Sequence, residues 1–317
     1  MRILFTELLE NRELVEKGLP DDEVIVYDHP LRKEELIQAA RDAEVLSVFI
    51  YTNVGREVID NMPKLKLIVT RSVGFDHIDA KYALERGIEV CHVPDYGAHV
   101  VAEHAFALLL AVAKNIVRAD TFVKSGRTFE FEPFLGTEFK DKTIGVVGTG
   151  KIGAESIRIA KGFGMKVVAF DVYQNIPLSK KFGFEYLTLD EVLEQSDYVT
   201  LHAPLTPETH HLINAESIAR MKVGAILVNA ARGGLVDTIA LKEALESGHL
   251  AGAGMDVLED EKHPSSDLLL NAPNLVITPH SAFFTKEALE RIALTTLDII
   301  DSFRKGEPIN RIPKEYL

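Results

Sequence analysis

Residues 143–153 read TIGVVGTGKIG. A short apolar run enters a glycine-rich turn, and a helical pattern, AESIRIAKGFG, leaves it. A second strand pattern follows and ends at Asp171. Few local sequences restrict a fold as much. Gly148 permits a tight turn, Gly150 lets a pyrophosphate approach the backbone, and Gly153 lets helix and strand pack closely. N–H groups at the helix start then face the phosphates. Asp171 stands where an acid accepts hydrogen bonds from ribose hydroxyls. A 2′-phosphate would meet its negative charge, and Val172 and Tyr173 offer no cation. The pattern predicts an NAD site, with NAD preferred over NADP.

The motif lies near the middle of a 317-residue chain, and a full βα series precedes it. RILFT, EVIVYD, VLSVFI, LKLIVT and IEVCHV read as strands, with KEELIQAARD and DAKYALERG as helices between them. Near-continuous apolar strands imply a parallel sheet covered on both faces. From Thr143 onward, TIGVVG, KVVAFD, YVTLHAP, AILVNAA, AGAGMDV and LVITPH form a second series, enough for a six-stranded dinucleotide fold. One long helical segment starts near His99, and an amphipathic helix, KEALERIALTTLDIIDSFRKG, lies near the end. His99 and His104 read as structural or capping residues.

Composition narrows the function. The net charge is −13 and no basic run appears, which argues against a nucleic-acid partner. The most apolar stretch, AFALLLAVA, is too short to span a bilayer, so no membrane partner is expected. The lone cysteine, Cys91, reads as a small buried strand residue. With no leader pattern at the start, a cytoplasmic protein is expected. No metal is expected.

Three later segments, LVNAARGGLVD, AGAGMDVLEDE and VITPHSAF, end in polar residues after apolar strands. In a parallel α/β sheet the carboxyl ends of strands share one crevice beside the cofactor. Arg232, an acid of the EDE run and His280 are therefore candidates for one site. Imidazole exchanges a proton near neutral pH, as a carbonyl accepting hydride requires. A carboxylate beside it would favour its charged form and fix its tautomer. A guanidinium fork suits a carboxylate or polarised carbonyl. Spacing alone leaves Glu259, Asp260 and Glu261 open as the acid.

The stretches RSVGFDHID, VAEHAFALLL, GVVGTGKIG, LHAPLTPETHHLIN, LVNAARGGLVD, GMDVLEDE and TPHSAFFT span nearly the whole chain. In this order they resemble the D-specific 2-hydroxyacid dehydrogenases, most closely the D-lactate dehydrogenase branch. The resemblance implies a catalytic Arg232, Glu261 and His280, and so selects Glu261. It implies NAD contacts at Gly148, Gly150, Lys151, Ile152, Gly153, Asp171, Ala203, Pro204, Thr209, Ala230, Ala231, Arg232 and Asp256. His202 is expected to pack or to offer only its backbone. Substrate contacts are implied at Tyr51, Val73, Gly74, Arg232, His280 and Phe283.

The implied fold is α/β: a Rossmann NAD-binding domain, 99–286, inserted into a flavodoxin-like substrate domain, 1–98 and 287–317. Long helices around 99–118 and 286–304 are expected to join the two, with a closing cleft between them. The implied reaction is NADH-dependent reduction of pyruvate or a related 2-oxo acid to the D-2-hydroxy acid, by a homodimer. Glyoxylate, hydroxypyruvate, branched and aromatic 2-oxo acids are alternative substrates. An NAD(H)-sensing corepressor-like binding protein is the non-enzyme alternative.

Overall fold

The computed structural model describes residues 1–8, 10–126, 129–261 and 263–312. Two parallel sheets organise them, in two units. The first unit is Met1–Tyr96 with the segment from Phe284 onward; the second is Gly97–Phe283.

In the first unit, strands β1 (Arg2–Phe5), β2 (Glu23–Val26), β3 (Val45–Val48), β4 (Leu67–Thr70) and β5 (Glu89–His92) alternate with α1 (Arg12–Gly18), α2 (Lys33–Ala40), α3 (Arg56–Asp60) and α4 (Ala80–Glu85). The sheet order is β2-β1-β3-β4-β5, all parallel, which is the flavodoxin-like order. Every residue of β3 and β4 is buried, as strands covered on both faces must be. Cys91 on β5 is buried, and burial pushes its thiol up to about 12. It is a packing residue.

The second unit opens with α5 (Ala98–Ala113) and α6 (Ile116–Lys124). It continues through β6 (Thr143–Val147), α7 (Lys151–Gly162), β7 (Lys166–Phe170), α8 (Ile176–Phe182), β8 (Glu185–Tyr186) and α9 (Leu189–Gln195). Then come β9 (Tyr198–Leu201), α10 (Ala215–Arg220), β10 (Ala225–Asn229), α11 (Thr238–Glu246), β11 (Leu250–Met255) and β12 (Leu275–Ile277). The last helix, α12 (Lys286–Arg304), returns to the first unit. The sheet runs β12-β11-β10-β9-β6-β7-β8. Read from the other edge, that is the dinucleotide-fold order with one strand added.

Two expectations need correction. The sheet has seven strands, not six, because β8 is only two residues long and too short for a periodic signal. The helix expected near 99–118 is two helices bent by 60°. Asn115 breaks them with a left-handed φ of 53°, a conformation that Asn tolerates better than most residues. No single helix among the described residues is long and apolar enough to cross a membrane.

The apolar character of α5 follows from where it packs. Phe106, Leu108, Leu109 and Val112 are buried in a core shared with β6, α7 and β10. The small residues of β11 admit the helix closely: a Cβ on Gly254 would lie 2.8 Å from the Leu108 Cβ. A second core, on Leu193, Leu201, Leu227, Leu241 and Met255 among others, completes this unit.

Candidate active site and cofactor cradle

The sheet register aligns the strand ends. Phe170 pairs with Val147, Val147 with Leu201, Leu201 with Asn229, Asn229 with Met255, and Met255 with Ile277. The next residues, Asp171, Gly148, His202, Ala230, Asp256 and Thr278, therefore leave the sheet along one edge. Adjacent strands lie roughly 4.8 Å apart, so residues far apart in sequence become neighbours there.

At this edge Gly148 turns with φ +89°, and a Cβ on it would lie 2.7 Å from the His202 carbonyl. A Cβ on Gly153 would lie 2.0 Å from the Gly148 oxygen, so α7 starts tight against the turn. A Cβ on Gly150 would meet nothing within 4 Å. No side chain caps α7 at Gly150. Open space before an uncapped helix N-terminus is what a pyrophosphate needs, so the cradle fits a dinucleotide. Lys151 and Ile152 open this helix.

Asp171 is tied to the turn. Its Oδ2 accepts from the Thr149 N–H at 2.6 Å and the Thr149 hydroxyl at 2.9 Å, and its Oδ1 accepts from Tyr173 N–H at 2.8 Å. His202 packs beneath, its Nε2 2.9 Å from Ser156 Oγ and 3.0 Å from Thr200 Oγ1. Burial lowers its pKa to about 4, so the ring stays neutral. The loop that follows carries Ala203, Pro204 and Thr209. The Thr209 hydroxyl donates to the Pro204 carbonyl at 2.7 Å, folding the loop on itself.

Beyond β10, the buried Asn229 shapes the turn by accepting from Ala231 N–H at 3.0 Å and donating to the Arg232 carbonyl at 2.8 Å. Ala230 and Ala231 make the step to Arg232, whose Nη1 donates to the Ala231 carbonyl at 2.8 Å. Gly233 brings this turn against the next strand's extension: a Cβ there would lie 2.0 Å from the Leu258 oxygen. Arg232 thus borders the segment that bears Glu261.

Glu261 and His280 meet directly, with Nδ1 2.8 Å from Glu261 Oε2. Nδ1–H donating to the carboxylate leaves Nε2 as the atom that gives or takes a proton. His280 holds φ +51°, uncommon for a residue with a side chain. The surroundings enforce it. His280 N–H donates to the Asp256 carbonyl at 2.7 Å. The Asp256 carboxylate accepts from Thr278 Oγ1 at 2.5 Å, Ser281 N–H at 2.9 Å and Ala282 N–H at 2.9 Å. Asp256 is 1% exposed. Burial alone would raise its pKa, but hydrogen bonds from His104, Thr278 and the Ser281 and Ala282 N–H groups outweigh burial and lower it. Asp256, which the resemblance implies as a cofactor contact, also holds the His280 loop.

His104 reaches this loop from α5, with Nε2 2.9 Å from Thr278 Oγ1 and 3.4 Å from Asp256 Oδ1. Neither it nor His99 caps the helix, whose N-cap is Gly97 with no side-chain cap bond.

In the first unit, Tyr51 and Val73 are half-exposed, at 48% and 43%, on the loops after β3 and β4. The Val73 carbonyl lies 3.0 Å from His92 Nδ1, and Gly74 O accepts from Ser72 Oγ at 2.6 Å. Phe283 is buried in the second unit. Two residues that sequence reading passed over fix these loops. The buried Glu7 accepts from Phe49 N–H at 3.3 Å, Tyr51 N–H at 2.9 Å and Thr52 N–H at 3.0 Å. Arg71, also buried, donates to the Thr6, Glu7 and Ser47 carbonyls. Burial lowers its pKa to about 10, still cationic at neutral pH. A signal was present in each case: a lone acid ending an apolar strand, and a lone base ending another.

Comparison with known proteins bears on the family and the fold. Residues 106–282 match the family described as "D-isomer specific 2-hydroxyacid dehydrogenase, NAD binding domain". The chain is 39% identical to a glyoxylate reductase of Korarchaeum cryptofilum, over 96% of this chain and 95% of the relative. It is 40% identical to a glyoxylate reductase of Pyrococcus furiosus, over 93% and 90%. Among solved structures, D-lactate dehydrogenase from Aquifex aeolicus, complexed with NAD and lactic acid, is 39% identical. It superimposes with a TM-score of 0.87, covering 96% of each chain.

Proposed function

The chain belongs to the D-isomer-specific 2-hydroxyacid dehydrogenase family and its cofactor is NAD, and from that premise we propose that it reduces a small 2-oxo acid to the D-2-hydroxy acid. The observation that carries this reading is the 2.8 Å bond between Glu261 and His280, set on a loop held by Asp256.

Bound NADH supplies the hydride. The chain's own residues do the rest. Arg232 binds the substrate carboxylate and polarises the carbonyl through its planar fork. Backbone groups at Val73 and Gly74 hold the carboxylate, and Tyr51 and Phe283 flank the side chain. His280 Nε2–H protonates the carbonyl oxygen as charge develops on it. Glu261 keeps the ring aligned and stabilises the charged imidazolium. Asp171 accepts from the adenosine ribose, and Lys151, Ile152, Ala203, Pro204, Thr209, Ala230 and Ala231 line the rest of the dinucleotide. Residues 99–286 act as the NAD domain, and 1–98 with 287–317 as the substrate domain.

Two substrates are favoured by different observations. Pyruvate, giving D-lactate, is favoured by the structural likeness to a D-lactate dehydrogenase holding lactic acid. Glyoxylate is favoured by relatives of comparable identity named glyoxylate reductases. The test is NADH oxidation against pyruvate, glyoxylate, hydroxypyruvate and branched and aromatic 2-oxo acids, with product chirality determined where the product is chiral. A kcat/KM highest for pyruvate with D-lactate as product supports the first reading; highest for glyoxylate, the second. No turnover with tight NADH binding would instead support an NAD-sensing protein. His280→Ala is expected to lower kcat by about 10²–10⁴-fold with NADH affinity kept.

A further inference from the structure

A second cluster of ligating side chains lies beside the cofactor loop, outside the roles assigned above. His210 and His211 are adjacent in sequence, yet their rings stack at 3.9 Å between centroids and 28° between planes. Neighbouring side chains ordinarily diverge. Here His211 adopts a left-handed φ of +50°, and its N–H is fixed to the Gly234 carbonyl at 2.8 Å. That conformation is uncommon for a residue with a side chain. It is what turns both rings to one side.

Both Nε2 atoms then face one carboxylate oxygen. Glu259 Oε1 lies 2.9 Å from His211 Nε2 and 3.8 Å from His210 Nε2. The three ligating atoms lie within 4.8 Å of one another. Two ligand atoms on a tetrahedral ion, at bonds of about 2.0–2.1 Å, sit roughly 3.3 Å apart. Small side-chain rotations bring this set to that spacing. The carboxylate is oriented from behind, because Thr238 Oγ1 donates to Glu259 Oε2 at 3.2 Å. The far nitrogen of His211, Nδ1, lies 4.0 Å from Asp237 Oδ2. A hydroxyl behind a ligating carboxylate is an outer partner that metal sites use, and the Asp237 carboxylate adds negative charge near His211 without a hydrogen bond to it. Among the described ion pairs of Glu259 and Asp237, every partner is histidine. The open face is wet: His210 is 53% exposed and Glu259 39%.

We infer that His210, His211 and Glu259 form a binding site for one divalent transition-metal ion of the zinc or copper(II) class, with water completing its coordination. Two imidazoles and one carboxylate select such ions over magnesium or calcium, which prefer all-oxygen sets. The ion ties the loop after β9 to the segment after β11, two residues before Glu261. It has no place in the hydride reaction.

The test uses the full chain without an affinity tag, stripped with chelator and dialysed into chelator-free buffer. Zinc is titrated by calorimetry with metal content measured, and cobalt(II) serves as an absorbing probe. The expected result is one saturable zinc per chain and visible cobalt bands that zinc displaces. H210A and E259Q are expected to weaken binding at least about tenfold, while H263A, a change at another exposed histidine, leaves it unchanged. H210A removes a half-exposed ring, so its fold is expected to survive, checked by circular dichroism. Absence of saturable binding, or equal affinity in wild type and H210A, would overturn the site.

Discussion

Single residues do their work here through very few contacts. Asp171 spends two of its bonds on Thr149 and one on Tyr173, which points its carboxylate along the cradle before any ligand arrives. If it also receives the ribose hydroxyls, Asp171→Ala removes both the acceptor and the charge that repels a 2′-phosphate. The expected outcome is a smaller ratio of kcat/KM for NADH over NADPH, read from initial rates with either cofactor. An unaltered ratio would remove that role from Asp171. The pairing of Glu261 with His280 could be chosen from sequence only through the family resemblance, because Glu259 and Asp260 have the same chemistry. The structure gives those neighbours other partners: Glu259 bonds to His211, and Asp260 lies 2.9 Å from His263.

At the scale of elements, three of the loops that leave the sheets are each shaped by a buried polar residue. Glu7 gathers the Phe49–Thr52 backbone, Asn229 the turn at Arg232, and Asp256 the His280 loop. None of these has a sequence signature beyond being polar at the end of an apolar run. His202 adds a pH response to the second unit. Its folded pKa is about 4 against an ordinary 6.5, lowered by burial. Between those values the unfolded chain takes up a proton that the folded chain refuses, so stability declines as pH falls through that window and the decline stops below it. His202→Gln is expected to flatten the fall of Tm between about pH 6.5 and 4. Melting curves across that range check it, and an unchanged slope would count against the buried neutral ring.

For the whole molecule, three of the most exposed apolar side chains fall close together in the sequence of the second unit. Phe129, Phe131 and Leu135 are 93%, 80% and 91% exposed, more than a monomer's scattered apolar residues explain. We propose that a homodimer covers these residues. Phe131→Asp with Leu135→Asp should shift the sedimentation coefficient from dimer to monomer. A wild-type monomer, or a dimer indifferent to both changes, would place the interface elsewhere or remove it.

The sequence alone determined that this chain builds two parallel α/β sheets and that the second cradles a dinucleotide. Those conclusions follow from local chemistry: apolar runs of strand length, glycines at fixed offsets and an acid after the second strand. All five strands of the first sheet and the six long ones of the second were legible that way, whereas β8 and the break at Asn115 were not, each resting on one or two residues. Only the tertiary structure decided who stands next to whom. The common register of Phe170, Val147, Leu201, Asn229, Met255 and Ile277 is set by hydrogen bonds between strands, which no local pattern encodes. That register places Asp256 beneath the His280 loop, and the turns it launches bring His211 to Glu259.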